Sequence, residues 1–417
     1  MTRLTLVLLI TLLAIAPVAS VAGVGGGAPP LTPDDAGDDG DAPETTVEST
    51  GTVVTIQSNN TTRRLDLTTV DRATYSNPGA DLASTVAMTG QELDQGLRFE
   101  YLSVRVEQAG SAAQRRAIAD AEVDRLNRAI SELRDREWAV LQAYGNGEIG
   151  ERELLHRLAV IHSSASNIAT AATRLEEDGA DFNADDVRRR AAELQTPIRA
   201  QVLDELTGQA EVPFRVHVRG SEQGLVIQAL SESRFSRDYY REAIRFDNFE
   251  DGPNTFSLNA FLDLLNDRYP YVTTYDADLD ETTDGTNVYV NSHDQGDIRL
   301  YNDGRTEGVY REYQSLRLSD LPNGDRYTET ENGTTVAVQL TPNGGPARVV
   351  ASDALTDNSV SATVMVDGER VGQTGPGGSL WIVQPSAEYT ITVRTPDGII
   401  TLPIDRTRTT TNATVSA

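Results

Sequence analysis

Two stretches of this chain say the same thing twice, and that constrains its fold more than any other feature. RVHVRGSEQG, from Arg215, and YYREAIRFD, from Tyr239, return as NVYVNSHDQG, from Asn287, and VYREYQSLR, from Val309. Val216, Val218, Gln223 and Gly224 correspond to Val288, Val290, Gln295 and Gly296. Tyr240, Arg241 and Glu242 correspond to Tyr310, Arg311 and Glu312. Val-x-Val is a period-two strand signal, and RGSEQG and NSHDQG are turns in which Gly can take a positive φ. Each copy therefore predicts a three-stranded antiparallel meander, with repeats over 215–247 and 287–317. SLNAFLDLLNDRYP, between the copies, predicts a short amphipathic helix stopped by Pro270. The result is an α+β domain over 212–321 whose two copies pair about a pseudo-twofold and hide each other's apolar face.

Arg and Glu at adjacent strand positions point to opposite faces. The Tyr-Arg-Glu motifs therefore predict separate ion pairs or rim contacts, not one site within a copy. A catalytic alternative needs Glu242 and Glu312, or Arg241 and Arg311, to converge at the axis, where paired carboxylates can do acid–base work.

Residues 81–206 read as helix, with few Gly or Pro. Val123, Leu126, Ile130, Leu133, Val140 and Tyr144 form one apolar seam, which Glu137 interrupts. YGNGEIG breaks it. Leu154, Leu158, Ile161, Ala165, Ile168, Ala172 and Leu175 then alternate at four and three. This heptad pattern predicts a coiled-coil helical hairpin, extended to three or four helices, with a restart at Pro197 capped by Thr196. His162 and Ser163 are neighbours in sequence and do not face each other on a helix, so His162 reads as a packing residue. The region 52–80 is poorly defined, with one short strand at most.

From Thr335 the chain is all-β. Short alternating runs bounded by D-G, G-P-G-G and P-D-G predict a small Ig-like sandwich over 335–405, with Trp381 by default in its core and otherwise a ligand platform, followed by a polar tail at 406–417. The acidic loop YDADLDETTDG resembles the start of a calcium site. It has Glu281 and Asn287 where an EF-hand needs Gly and Glu, so no metal is expected. No pattern calls for a cofactor.

The N-terminus carries Arg3, an apolar run from Leu4 to Ala16 and a Ser20-Val21-Ala22 cleavage signal. It reads as a signal peptide over 1–22 cleaved after Ala22, or as an uncleaved anchor, the only membrane attachment expected. Both place the rest outside the cell. Residues 23–51 form an acidic tether. The sequons at Asn59, Asn60, Asn332 and Asn412 are glycosylation candidates there. The net charge is −27, and all 36 basic residues are arginine. Such a lysine-free acidic composition suits molar salt, where screening relieves self-repulsion, and excludes a nucleic-acid partner. There is no cysteine, hence no disulfide or thiol chemistry.

VDGERVGQTGPGGSLWIVQPSAEYTITV resembles the carboxypeptidase-regulatory-like, or transthyretin-like, β-sandwich in its V-x-V-x-G, T-G-x-x-G-x-L and P-x-x-x-Y-x-I-x-V elements. The resemblance implies an accessory module without catalytic residues. The order of signal, helical hairpin with the YGNGEIG break, doubled Q-G/Y-R-E unit and final sandwich resembles a haloarchaeal family of exported proteins of unknown function.

These readings converge on an exported cell-surface or extracellular structural and interaction protein. Its expected partner is an envelope protein or glycan, or a second copy bound through the helices. Two alternatives remain at this level. One is an exported hydrolase with a site at the repeat's pseudo-twofold. The other is a sensor or adaptor subunit of an envelope complex.

Overall fold

The computed structural model describes residues 52–54, 60–177, 184–210, 215–232, 237–250, 252–385 and 388–405. The N-terminal apolar run, the tether and the polar tail lie outside the described residues, and with them Ala22, Asn59 and Asn412. Among the described residues the first elements are β1 (Thr52–Val54) and β2 (Arg72–Ser76). Five helices follow: α1 (Leu82–Glu107), α2 (Ala112–Gly145), α3 (Glu151–Glu177), α4 (Asp185–Ala192) and α5 (Pro197–Thr207).

The helix ends have local causes. The Ser111 hydroxyl accepts the Gln114 N–H at the start of α2. Thr196 does the same for Arg199, and Pro197 takes the first helical position, where no N–H is needed. Ala119, near the start of α2, shares an apolar cluster with Leu175, near the end of α3. The two helices are thus antiparallel, joined through 146–150. The α2 seam is not only a helix–helix seam. Leu126, Ile130, Leu133, Val140 and Tyr144 belong to one core with Val216, Val218, Leu225 and Ile227 of the sheet. A three-four spacing specifies one buried stripe and leaves open whether a helix or a sheet covers it.

The α+β unit contains β3 (Arg215–Ser221), β4 (Gly224–Glu232), β5 (Arg237–Arg245), α6 (Leu258–Arg268), β6 (Ala277–Glu281), β7 (Asn287–His293), β8 (Gly296–Asn302) and β9 (Arg311–Arg317). They form one eight-stranded sheet in the order β2-β3-β4-β5-β9-β8-β7-β6, with every neighbouring pair antiparallel. The two copies do not hide each other's faces. They join edge to edge through β5 and β9, which satisfies the backbone of both edges. Each face then takes its own cover. The five-helix layer lies on one side. On the other, Phe261 and Leu265 of α6 pack on Tyr289, Ile298 and Leu300.

The register revises the motif correspondence. In the first copy Val218 pairs with Ile227, and Ile227 with Glu242. In the second, Val290 pairs with Arg299, and Arg299 with Tyr313. Glu242 is therefore equivalent to Tyr313, Arg241 to Glu312 and Tyr240 to Arg311. The two Tyr-Arg-Glu strings are one residue out of step, so the matching Arg and Glu face opposite sides of the sheet. Glu242 and Tyr313 pair directly across β5 and β9, which places the pseudo-twofold through them. The Q-G match holds in both copies, for a steric reason. Gly224 and Gly296 have φ of 156° and 143°, and a Cβ there would sit 2.0 Å from the carbonyl oxygens of Ile244 and Ser315.

The last unit contains β10 (Arg326–Glu331), β11 (Thr334–Leu340), β12 (Ala347–Asp353), β13 (Thr363–Val366), β14 (Glu369–Gln373), β15 (Ser379–Ile382), β16 (Glu388–Arg394) and β17 (Ile399–Asp405). Its sheets, β1-β10-β11-β12-β15 and β14-β13-β16-β17, enclose Val336, Val338, Val349, Val364, Ile391, Val393 and Leu402. The sandwich starts at Arg326, ahead of the expected Thr335. RYTETE buries only Tyr327 and carries little apolar alternation. Among the described residues two strands, not one, precede the helices: β1 joins the sandwich and β2 the edge of the large sheet. Trp381 is not in the sandwich core. It packs at the junction with Tyr239, Leu316 and Leu318 of the α+β unit.

Candidate functional site

The pseudo-twofold carries most of the buried charge, one network on each face of the sheet. On the helical face, Glu137 of α2 is fully buried where the seam was interrupted. Its carboxylate meets Arg199 Nη2 of α5 at 2.5 Å and Arg311 Nη2 of β9 at 2.5 Å. Arg199 also holds Glu242, which accepts the Thr196 hydroxyl at 2.9 Å. Arg311 lies 3.5 Å from Glu193, and Glu193 accepts the Tyr310 hydroxyl at 2.6 Å. Arg134 links Glu193 (2.5 Å) to Asp284 (2.8 Å), which Arg190 also approaches at 3.3 Å. Four carboxylates and four guanidiniums thus alternate from β5 through the helices to the loop after β6.

Burial alone would push the Glu137 carboxyl up; the Arg311 and Arg199 guanidiniums outweigh it and hold the group below the usual carboxylate range. Asp284 is likewise held down, by Arg134 and Arg190, against its burial. The acid of the suspected calcium loop is therefore an internal counter-ion. Asp280 of the same loop pairs with Arg189 at 3.0 Å.

On the opposite face, Arg241 and Glu312 occupy equivalent positions of the two copies and pair with each other at 2.8 Å. The residues before β2 form a strap over this pair. The Leu65 N–H donates to Glu312 at 2.7 Å, and the Leu65 carbonyl accepts from Arg241. Tyr269, beyond α6, donates its hydroxyl to Glu312 at 2.7 Å. Burial raises the Glu312 carboxyl, and the Arg241 guanidinium with these donors does not fully offset that. The two Q-G turns hold the ends of the strap. Gln295 accepts the Thr61 hydroxyl at 2.8 Å and donates to the Asn60 carbonyl at 2.6 Å, while Gln223 accepts the Thr68 hydroxyl. Arg64 reaches out of the strap to the Pro342 and Asn343 carbonyls of the sandwich, at 2.9 and 3.0 Å. One segment therefore ties both copies to the sandwich.

The structure places Gln223, Gly224, Gln295 and Gly296 at the strap and Arg241 and Glu312 beneath it. Glu242, Tyr310 and Arg311 lie in the helical-face network. Tyr240 packs at the edge of the helical core. Glu242 and Glu312 do not converge, and neither do Arg241 and Arg311. The juxtaposition that a hydrolase site at the axis needs is absent, because the one-residue offset sends like residues to opposite faces.

A cleft of about 530 Å³ does open beside α5, lined by His162, Gln195, Thr196, Val290, Ser292, Asp297, Arg299, Tyr313 and Ser315. None of the Arg and Glu of the repeat motifs lines it. His162 Nδ1 accepts the Thr196 N–H at 3.2 Å, and burial, with Arg199 nearby, pushes its pKa down to about 4. The Tyr313 hydroxyl is turned to the Glu193 carbonyl, and Ser292 donates to Asp297 at 2.6 Å. Among the described residues, no three His, Asp or Glu converge as a metal set. Asn60 and Asn332 are exposed, the latter in the β10–β11 turn with φ of 50°.

The sequence pointed to the repeat half of these networks and missed the other half. Arg134, Glu193 and Arg199 were not singled out, and neither was the strap. The one signal was Glu137, an acid at a position where the seam demands an apolar residue.

Comparison with known proteins finds three family matches along the chain. Residues 1–211 match a domain of unknown function (DUF7096), and residues 216–322 match a family of unknown function (DUF7094). Residues 325–402 match an archaeal fibronectin-III type-like domain, which is the model that fits the sandwich read above as carboxypeptidase-regulatory-like. No curated protein and no solved structure matches the chain.

Proposed function

We propose, from the premise that this chain belongs to the DUF7096 family of unknown function, that it is a rigid exported structural and interaction protein of a halophilic archaeon. One observation carries the structural part. Every ionisable residue at the centre of the repeat is spent on an intramolecular partner, so the centre joins elements and offers no open chemistry. Such a joint fixes the helical layer, the large sheet and the sandwich at one geometry, which suits a protein that presents surfaces. Export is supported by the apolar N-terminal run and its small-x-small signal ending at Ala22. The lysine-free acidic composition supports a saline exterior.

The test is recovery of the protein from native medium, envelope and cytoplasm at molar salt, with its N-terminal peptide read by mass spectrometry. The proposal expects the envelope or the medium and, for the cleaved form, a peptide beginning at Gly23. A cytoplasmic protein retaining its first residues would overturn it. Alanine at Glu242 and Glu312 supplies the functional arm: a scaffold loses stability there, whereas an enzyme would lose a reaction while staying folded.

A further inference from the structure

Helix α1 is apolar on two opposite sides. Met88, Leu102 and Val106 face the helical layer and are less than a tenth exposed. Val86, Leu93, Leu97, Tyr101 and Val104 lie on the other side, with exposures of 64, 65, 71, 66 and 44%. A helix that is apolar all round is ordinarily buried all round. The outer residues are not scattered. With Gly90 they make one seam, 86-90-93-97-101-104, spaced at four, three, four, four and three. A Cβ added at Gly90 would meet nothing within 4 Å, so the fold of this chain does not require glycine there. Glycine is a poor choice for a helix interior, which makes an unexplained one informative.

We infer that this seam is the contact between two copies of the chain, which pair α1 against α1 antiparallel about a twofold axis. The seam is nearly palindromic. Laid against itself in the reverse direction, it sets Val86 against Val104, Leu93 against Leu97 and Gly90 against Tyr101. The largest side chain of the seam thus meets the one position with no side chain. That complementarity of a surface with itself is what an isologous dimer demands, and a knob opposite a hole is how helices interdigitate. The area is adequate. Exposed side chains of this size each offer on the order of 100–200 Å², so five of them give roughly 500 Å², and a polar rim brings the contact toward the about 800 Å² per partner of a standard interface. Arg105, beside the Tyr101 ring, and the Asp94–Arg98 pair can supply that rim. The inference concerns α1 alone and stands whether or not the chain is exported.

The absence of cysteine makes the register testable in the full chain. Leu93→Cys and Leu97→Cys proteins are prepared separately at molar salt and oxidised, alone and mixed. The inference expects twice the chain mass by light scattering at micromolar protein, and efficient cross-linking only in the mixture. Gly90→Leu fills the hollow. It should weaken dimerisation at least tenfold while leaving the monomer's thermal midpoint unchanged or higher. Monomers at every concentration would overturn the inference. So would a Leu97→Cys protein that cross-links to itself, which indicates parallel pairing, or association only with anionic lipid vesicles. Dimerisation that Gly90→Leu does not affect would also overturn it.

Discussion

Replacing Glu137 by Gln tests the energetic role of the helical-face network. The substitution keeps shape and removes one charge from between Arg199 and Arg311, each within 2.5 Å of a carboxylate oxygen in a fully buried setting. Arg199 keeps Glu242 and Arg311 keeps Glu193, but two guanidiniums then face a neutral amide. Removing one partner from a buried pair costs about 3–5 kcal/mol, because the remaining charge is left in a medium that cannot solvate it. Against a total stability of about 5–15 kcal/mol, that is a large fraction. The assay is urea unfolding at constant molar salt, followed by Trp138 fluorescence in a Trp381→Phe background. Trp138 sits next to Glu137 and packs between Phe246 and Phe249, with ring centroids 4.9 Å away, so it reports this junction. Adding Arg311→Met restores the charge balance. The double variant should cost much less than the sum of the singles, a coupling of about 2 kcal/mol or more. A cost for Glu137→Gln below about 1 kcal/mol, or additive single effects, would refute the reasoning.

Other outcomes follow from the same geometry. Gly224→Ala and Gly296→Ala should each destabilise by more than about 3 kcal/mol, since each Cβ collides with a backbone carbonyl at a φ that L-residues avoid; thermal unfolding checks this. Acid should destabilise the fold in two stages. His162 and His217 are pushed by burial down to about 4 and about 3. Between pH 6.5 and about 4 the unfolded chain therefore binds more protons, and stability falls as pH falls; His217→Gln should flatten that slope in pH-dependent denaturation. Glu137, held below its unfolded value, adds stability that is present above the ordinary carboxylate pKa and lost as pH falls through the lower folded one. Glu312→Ala should loosen the strap by freeing Leu65 and Tyr269 and leaving Arg241 to the more distant Asp66 at 3.7 Å, with hydrogen exchange of residues 60–71 rising before that of β3–β5.

The amount of structure legible in the sequence tracked the range of the interactions involved. The meanders were legible because Val216/Val218 and Val288/Val290 carry period two and the Q-G turns carry a steric requirement. The offset of the third strands was not, because Tyr-Arg-Glu matches letter for letter and only hydrogen-bond register shows that Glu242 is equivalent to Tyr313. Local patterns likewise gave the buried stripes of α2 and α3 but not the sheet beneath α2. The strap has almost no pattern of its own, since its bonds run from main chain to side chains far away in sequence, such as Gln223, Gln295 and Glu312. Glu137 was visible as an anomaly; its partner Arg199 was not, and neither was Glu193, which meets Arg311 from the other side, because an ion pair between separate elements leaves no spacing to read.

The central claim is that the buried Arg–Glu network welds the helical layer to the β-sheet, so that residues matching two separate families unfold as one body. Native-state hydrogen exchange of the full chain at molar salt, resolved by peptide, tests it most directly. The account predicts that the core amides of α2, α5, β5 and β9 exchange through one shared opening of equal free energy, and that Glu137→Gln lowers all four together. Helices that open on their own while β5 and β9 stay protected would contradict it.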